Sequence, residues 1–135
     1  EQHHIAPYCS SNLLSKNVLQ DEAKTVFAGM IRVDKDAQQT NALQTNRNLV
    51  LTKEAEADSL PGLEILANDV KCTHGATTSR LDQEELFYLL SRGIDRKTAE
   101  SLISLGFLEE IIEKIPSENI STELREIVSS HFNKI

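Results

Sequence analysis

The chain has 135 residues, a net charge of -7 and no tryptophan, and 39% of its residues are hydrophobic. This length suits one modest domain or the end of a larger one, with a core built mainly from Leu, Ile, Val and Ala. Lys and Arg form no cluster longer than two residues, which argues against binding to nucleic acids or to anionic membrane surfaces.

The cysteines predict the cellular compartment of the protein, and the first residue predicts whether the chain is a fragment. The two cysteines, Cys9 and Cys72, are far apart in sequence and make no disulfide framework, so we expect a reducing cytoplasm. The sequence predicts no signal peptide and no membrane span, because no apolar run approaches about 20 residues. Since the chain begins with Glu1 rather than Met, we expect an excised fragment, and a processed terminus is the alternative.

Residues 1–79 contain short apolar runs that are typical of strands. In residues 25–33, alternate side chains from Thr25 to Val33 fall on one face, and further runs lie at 48–51, 63–66 and 70–74. Hairpin signals are few, which is compatible with a solenoid of stacked strands. Residues 38–48 are polar and long for a loop, and we assign them to no element.

Residues 80–135 change to a helical period. Asp82 and Asp95 are predicted N-caps of two helices, which Gly93 and Pro116 respectively end. Ser121 is the predicted N-cap of a third helix with an inner face of Leu124, Ile127, Val128 and Phe132. Strands followed by helices indicate a mainly β fold with a separate C-terminal α region.

Cys72 and His74 are the most suggestive pair of chemical groups. On a strand they project from the same face, with Cα atoms roughly 6.5 Å apart, so both could reach a soft metal such as iron or zinc. Two ligands do not complete a site, since zinc sites use about three or four. The alternative is that Cys72 packs as a small apolar residue and His74 forms a hydrogen bond at a strand end.

The other candidate groups have simpler explanations. His3 and His4 are adjacent and would face opposite sides of a strand, so they cannot both bind one ion. Acidic runs at 54–58 and 109–113 are interpreted as solvated faces. The sequence contains no phosphate loop, no His-Glu-x-x-His and no nucleophile elbow, so little favours an enzyme.

The first predicted helix is apolar on more than one face. One face would enter the core of its own domain, while Phe87, Tyr88 or Arg92 could anchor a partner, because Tyr, Phe and Arg are favoured at interface centres. The alternative is a helix held between two layers of its own domain.

A series of short motifs runs through most of the chain in a fixed order, from about Val18 to Phe107. It comprises Val26-Phe27-x-Gly29, Ala37-Gln38-x-Thr40, Asn48-Leu49, Pro61-x-Leu63-Glu64-Ile65, Asp69-Val70-Lys71-Cys72-Thr73-His74-Gly75-Ala76-Thr77, Leu81-Asp82 and Phe87-Tyr88-Leu89-x-Ser91-Arg92-Gly93-Ile94. The series closely resembles the SufB/SufD family of the SUF iron–sulfur cluster assembly machinery. Residues 71–75 look most like the C-terminal part of SufD, because SufB usually carries Glu in place of Gly75. Residues 77–80 look more like SufB, which leaves a SufB-like homologue as the alternative.

The resemblance implies the end of a right-handed parallel β-helix followed by a small helical domain. It further implies a scaffold subunit, not an enzyme, that docks the SufC ATPase through its helices and pairs with SufB through the end of the β-helix. His74 matches the SufD histidine proposed as a ligand of the nascent cluster, while packing stays the expected role of Cys72. Phe87, Tyr88 and Arg92 become the expected SufC-docking surface. The cluster would be transient and shared with SufB, so we expect no stably bound cofactor.

Two classes of function therefore compete. A scaffold requires an exposed histidine near a sheet edge, whereas a metal-dependent enzyme using His74, Cys72 and nearby carboxylates requires a pocket with at least three converging ligands. In a third, purely structural interpretation the fragment caps a β-helix and His74 is incidental. A truncated solenoid also exposes a coil, which favours a homodimer of the isolated fragment.

Overall fold

The computed structural model describes residues 1–132, in which six β-strands precede three α-helices. The strands are β1 (Gln2–His4), β2 (Ser10–Leu19), β3 (Lys24–Val33), β4 (Asn41–Val50), β5 (Glu56–Ile65) and β6 (Lys71–Arg80). The helices are α1 (Gln83–Ser91), α2 (Arg96–Ile112) and α3 (Glu118–Phe132). The prediction of a mainly β fold with a C-terminal helical part is confirmed.

Consecutive strands alternate between two parallel sheets. One sheet has the order β1-β3-β5 and the other β2-β4-β6. Because each strand pairs with the strand two places later, the chain winds around itself and stacks coil on coil, as in a solenoid. The pairing continues in register, so that Ser10 lies beside Asn41 and Asn41 beside Lys71.

The core lies between the two sheets. Alternation along β3 points Ile31 and Val33 inward, where both are fully buried against Ala37 and Ala42. A second cluster of Leu19, Val50 and Ala55 fills another part of the interior. The central strands β3 and β4 are paired on both edges, whereas within residues 1–132 β5 and β6 each have one free edge at the same end of the solenoid.

The polar segment at 38–48 is largely a strand. Its side chains Gln44, Asn46 and Asn48 point inward from β4, and each is about 1% exposed. Asn17 of the neighbouring strand donates from Nδ2 to Oδ1 of Asn48 at 2.8 Å, so these amides continue across coils. The inward-facing side chains of β4 are therefore polar, and a prediction from hydropathy alone does not detect this strand. The sequence also gives no prediction of β2.

The helices begin largely where their capping residues predict. The Asp82 carboxylate accepts hydrogen bonds from the backbone N–H groups of Glu84 and Glu85, and Asp95 accepts from Thr98 at 3.0 Å. Gly93 follows α1 with a φ of +84°, a conformation that favours glycine. These local signals explain why α1 and the start of α2 follow from the sequence.

The prediction of Ser121 as the N-cap of α3 is wrong. The helix begins at Glu118, and the Ser121 hydroxyl donates to the carbonyl of Glu118 inside the first turn. The predicted inner-face residue Ile127 is 55% exposed. Also, α2 ends at Ile112, some residues before the predicted stop at Pro116.

The helices pack against the outer face of the β2-β4-β6 sheet. Leu49 points outward from β4 yet is 4% exposed, and it lines a cleft together with residues of α1 and α2. Among the described residues, no helix is long and apolar enough to cross a membrane.

Candidate functional site

Strand β6 places Cys72 and His74 on the interior side of the last coil. In the parallel register with β4, Cys72 lies beside Ala42 and His74 beside Gln44. Ala42 and Gln44 are buried, and in-register neighbours of a parallel sheet project to the same side. Within residues 1–132 no strand covers the outer edge of β6, so His74 is exposed although it occupies an interior position.

Cys72 is half-buried and packs against the core cluster around Ile31. Burial raises the pKa of its thiol, although a hydrogen bond with the backbone of Ala42 acts in the opposite direction. A raised thiol pKa disfavours the thiolate, which is the form that binds metals. The environment of Cys72 therefore suits packing better than ligation.

Strand β6 carries two side chains of the kinds that bind soft metals, the Cys72 thiol and the His74 imidazole. Within residues 1–132, no group of three or more His, Cys, Asp or Glu side chains is placed to hold a metal ion. Zinc sites in proteins use about three or four protein ligands. His74 and the Cys72 thiol nearby are fewer than this number of ligands.

The remaining histidines have other contacts. On β1, the exposed His3 pairs through Nε2 with Asp34 at 3.0 Å, while the buried His4 bonds through Nε2 to the Ser11 hydroxyl at 2.8 Å. Their opposite orientations agree with the alternation expected of a strand. Cys9 is half-exposed, and its Sγ lies 3.8 Å from the carbonyl oxygen of Pro7.

Gln44 is a site residue that the sequence does not single out. Its side chain is buried in β4 beside His74, and neither amide atom has a hydrogen-bond partner among the described residues. Gly29 faces it so closely that a Cβ there would lie 2.3 Å from Gln44 Nε2. Neither the Val26-Phe27-x-Gly29 motif nor the polar segment 38–48 predicts this contact, because the contact depends on how the coils stack.

The three predicted docking residues lie on helix α1 and at its C-cap residue, Arg92. Phe87 is 71% exposed and Tyr88 56% exposed, whereas Leu86 is buried and anchors the helix. The guanidinium of Arg92, also exposed, stands 5.3 Å from the centre of the Tyr88 ring, a cation–π geometry. We call these three exposed side chains the α1 surface (Phe87, Tyr88 and Arg92).

The α1 surface borders a cleft of about 700 Å³ between α1, α2 and the outer sheet face. Among the lining residues are Leu49, Arg80, Tyr88, Leu89, Leu102 and Phe107.

A charged junction joins α2 to the solenoid. The Lys16 side chain on β2 is 3% exposed, pairs with the Glu110 carboxylate, and donates to the Phe107 carbonyl at 2.6 Å. Its ammonium also lies 4.3 Å from the centre of the Phe107 ring. Arg47 on β4 reaches the same Glu110 carboxylate at 3.0 Å. Glu110 of the 109–113 run, whose side chain is 39% exposed, therefore also links two parts of the fold.

A family model decides the relationship of this chain to known proteins. Residues 1–107 match the model described as SUF system FeS cluster assembly, SufBD core domain. The chain belongs to this SufBD family.

Curated relatives from the SufBD family agree with this assignment. The chain is 41% identical over 121 residues to the iron–sulfur cluster assembly protein SufD of Escherichia coli, covering 90% of the chain and 29% of that protein. It is 43% identical over 123 residues to an iron–sulfur cluster assembly SufBD family protein of Synechocystis, covering 91% and 27%. For SufD of Bacillus subtilis the identity is 33% over 125 residues, covering 93% and 29%. The chain thus spans less than a third of the length of these relatives.

Proposed function

We propose that this chain acts in the cytoplasm as a scaffold subunit of the SUF machinery and lends His74 to a transient iron–sulfur cluster. Membership of the SufBD family supports the general role. The observation that carries the proposal is the position of His74, exposed on the interior side of the last coil. A cluster that this chain binds through a single imidazole is held on one side only, so it can dissociate again.

The proposed partner across the open end of the solenoid is SufB. Strands β5 and β6 present free backbone donors and acceptors at this end, which is a ready template for another chain. Exposed apolar side chains along β5 and just after it offer area to bury: Leu60, Leu63, Ile65 and Leu66. Pairing here would bring ligands from SufB to His74.

The proposed partner of the helical part is the SufC ATPase. The α1 surface supports this because it combines a phenyl ring, a phenol and a guanidinium, the groups favoured at interface centres. The adjoining cleft could receive an apolar side chain from the partner.

A metal-dependent enzyme, or a SufB-like homologue using Cys72 and His74, is the second candidate. The thiol beside the imidazole favours it, and the raised pKa of Cys72 weighs against it. A self-contained enzyme would bind one equivalent of metal tightly without any partner and would lose it on Cys72→Ala as well as on His74→Ala.

The first experiment is a binding titration of the full chain with purified SufC. Replacing Tyr88 or Arg92 by Ala should weaken binding by about tenfold or more, because anchor residues carry most of the energy of an interface. Tyr8→Ala is the matched control, since Tyr8 is 76% exposed in a loop remote in sequence from α1. Equal affinities for all variants, or no binding by the folded wild type, would contradict SufC docking.

The second experiment tests the cluster. Iron(II) and sulfide are added anaerobically to the chain alone and to its mixture with SufB, and iron and sulfide per chain are measured after gel filtration. We expect a cluster in the mixture that His74→Ala removes and that the control His131→Ala retains. A stoichiometric cluster on the chain alone would contradict the shared site and favour the second candidate.

A further inference from the structure

Gln44 has a buried amide without a hydrogen-bond partner among residues 1–132, whereas the inward amides of Asn46 and Asn48 on the same strand have partners. Asn46 Nδ2 donates to the Ser59 hydroxyl at 2.6 Å, and Asn48 Nδ2 donates to the Thr78 hydroxyl at 3.2 Å. Gln44 is as deeply buried as these two, yet neither its Nε2 nor its Oε1 is hydrogen-bonded within residues 1–132. An unpaired buried polar group is costly, so a Gln at this position calls for an explanation.

The surroundings confine the Gln44 amide. The Cβ of any larger residue at position 29 would lie 2.3 Å from Nε2 and 2.7 Å from Oε1 of Gln44. On its own sheet Gln44 is flanked by Leu13 on β2 and by His74 on β6. Of these two neighbours, only His74 can form a hydrogen bond through its side chain.

The spacing of the strands brings Gln44 and His74 within reach of each other. In-register neighbours in a sheet are about 4.8 Å apart, and both side chains project to the interior side. An imidazole that binds a metal through one ring nitrogen carries an N–H on the other. Such imidazoles almost always donate that N–H to a carboxylate, a carbonyl oxygen or a water, and this partner fixes the tautomer and the ring orientation.

We propose that Gln44 is the positioning residue for His74. Its Oε1 accepts the N–H of the ring nitrogen that faces away from the cluster, so the other nitrogen keeps its lone pair directed at the iron. The inference rests on the proposed function, because it assumes that His74 is a ligand. Gln44 lies on the coil before that of His74, and the close approach of Gly29 restricts its side chain.

The test compares two substitutions in the complex with SufB, loaded with iron(II) and sulfide. Gln44→Met keeps the volume and removes the acceptor, whereas Gln44→Glu keeps an acceptor oxygen. An iron chelator is added, and the rate of cluster loss is followed by absorbance. Loss of such a partner typically costs about 10- to 100-fold in metal affinity, so we expect Gln44→Met to lose the cluster faster by a similar factor. We expect Gln44→Glu to restore retention close to that of the wild type.

A spectroscopic measurement separates positioning from a general structural effect. Pulsed EPR of the reduced cluster measures the quadrupole coupling of the His74 ring nitrogen remote from the iron, which depends on its hydrogen bond. We expect this coupling to differ between the wild type and Gln44→Met and to be similar in Gln44→Glu. If Gln44→Met does not fold by circular dichroism, Gln44→Leu takes its place.

The outcomes distinguish the two proposals. If His74→Ala retains the cluster as the wild type does, His74 is not a ligand and the proposed function fails with it. If His74→Ala loses the cluster while Gln44→Met retains it with an unchanged coupling, the ligand assignment holds and the role of Gln44 is overturned.

Discussion

Partnered and unpartnered amides lie side by side in the interior of the solenoid. Asn48 accepts a hydrogen bond from Asn17 and donates to Ser59 and Thr78, so its removal would leave several buried groups unpaired. The amide of Gln44 has no such partners among the described residues. Losing a partnered amide and losing an unpartnered one should therefore change the free energy of unfolding in opposite directions.

Gln44→Met is predicted to raise the free energy of unfolding by about 1–2 kcal/mol, because it removes an unpaired amide at nearly constant volume. Asn48→Leu is the matched control and should lower it by about 1–3 kcal/mol, since Asn17 and Thr78 lose a partner. Urea denaturation at pH 7 followed by circular dichroism measures both. A destabilised Gln44→Met would mean that the amide has a partner in solution.

The residue scale also shows what a single sequence reveals. Strict alternation along a strand predicts that Cys72 and His74 share a face, and the register of β6 with β4 agrees. The burial of Gln44 cannot be predicted in this way, because a polar residue in a polar run is typical of a loop. Its interior position depends on pairing with residues one coil before and one coil after, which lie about 30 residues away in a solenoid repeat.

At the scale of elements, α2 is held to the solenoid through Glu110. The hydrogen bond from Lys16 is the largest cause that lowers the pKa of the Glu110 carboxyl to about 2, and Lys114 and Arg47 contribute as well. The ordinary value is 4.5, so the folded state binds a proton less readily than the unfolded state. The resulting stabilisation is complete above pH 4.5 and is lost as the pH falls towards 2.

Glu110→Gln is therefore predicted to be less stable than the wild type at pH 7, and the difference should shrink below pH 4.5 and disappear near pH 2. Urea denaturation at a series of pH values measures it. The control is Glu56→Gln, whose partner Lys24 is 2.9 Å away in an exposed ion pair, and it should show a small difference. A Glu110→Gln difference that does not change with pH would show that its side chain acts by packing rather than by charge.

Elements with strong local signals are the ones that the sequence predicts well. The Asp82 and Asp95 caps mark two helix starts, because a carboxylate satisfies the free N–H groups of the first turn. Strand β2 and most of β4 lack such signals, since their inward positions are polar and their partners are distant in sequence. The sequence does not predict the Lys16–Glu110 ion pair either, because its two residues are far apart in the chain.

At the scale of the whole molecule, the free edges of β5 and β6 lie at the end that carries His74. Uncovered parallel strands flanked by exposed leucines are a template for pairing with another chain. In the absence of the proposed partner SufB, a second copy of this chain could pair with the same strands. The same surface would then serve either a homodimer or the proposed complex, but not both at once.

The chain alone is predicted to form a homodimer through this end, in competition with SufB. Leu66→Glu places a charge beside β5, where Leu66 is 56% exposed, and should convert the dimer to a monomer. Ile5→Glu is the matched control, because Ile5 is 67% exposed next to β1, at the other end of the solenoid. Sedimentation equilibrium measures the mass of each variant, with and without SufB. If Ile5→Glu dissociates the dimer and Leu66→Glu does not, the chain associates through the opposite end, and a homodimer would leave His74 accessible to SufB.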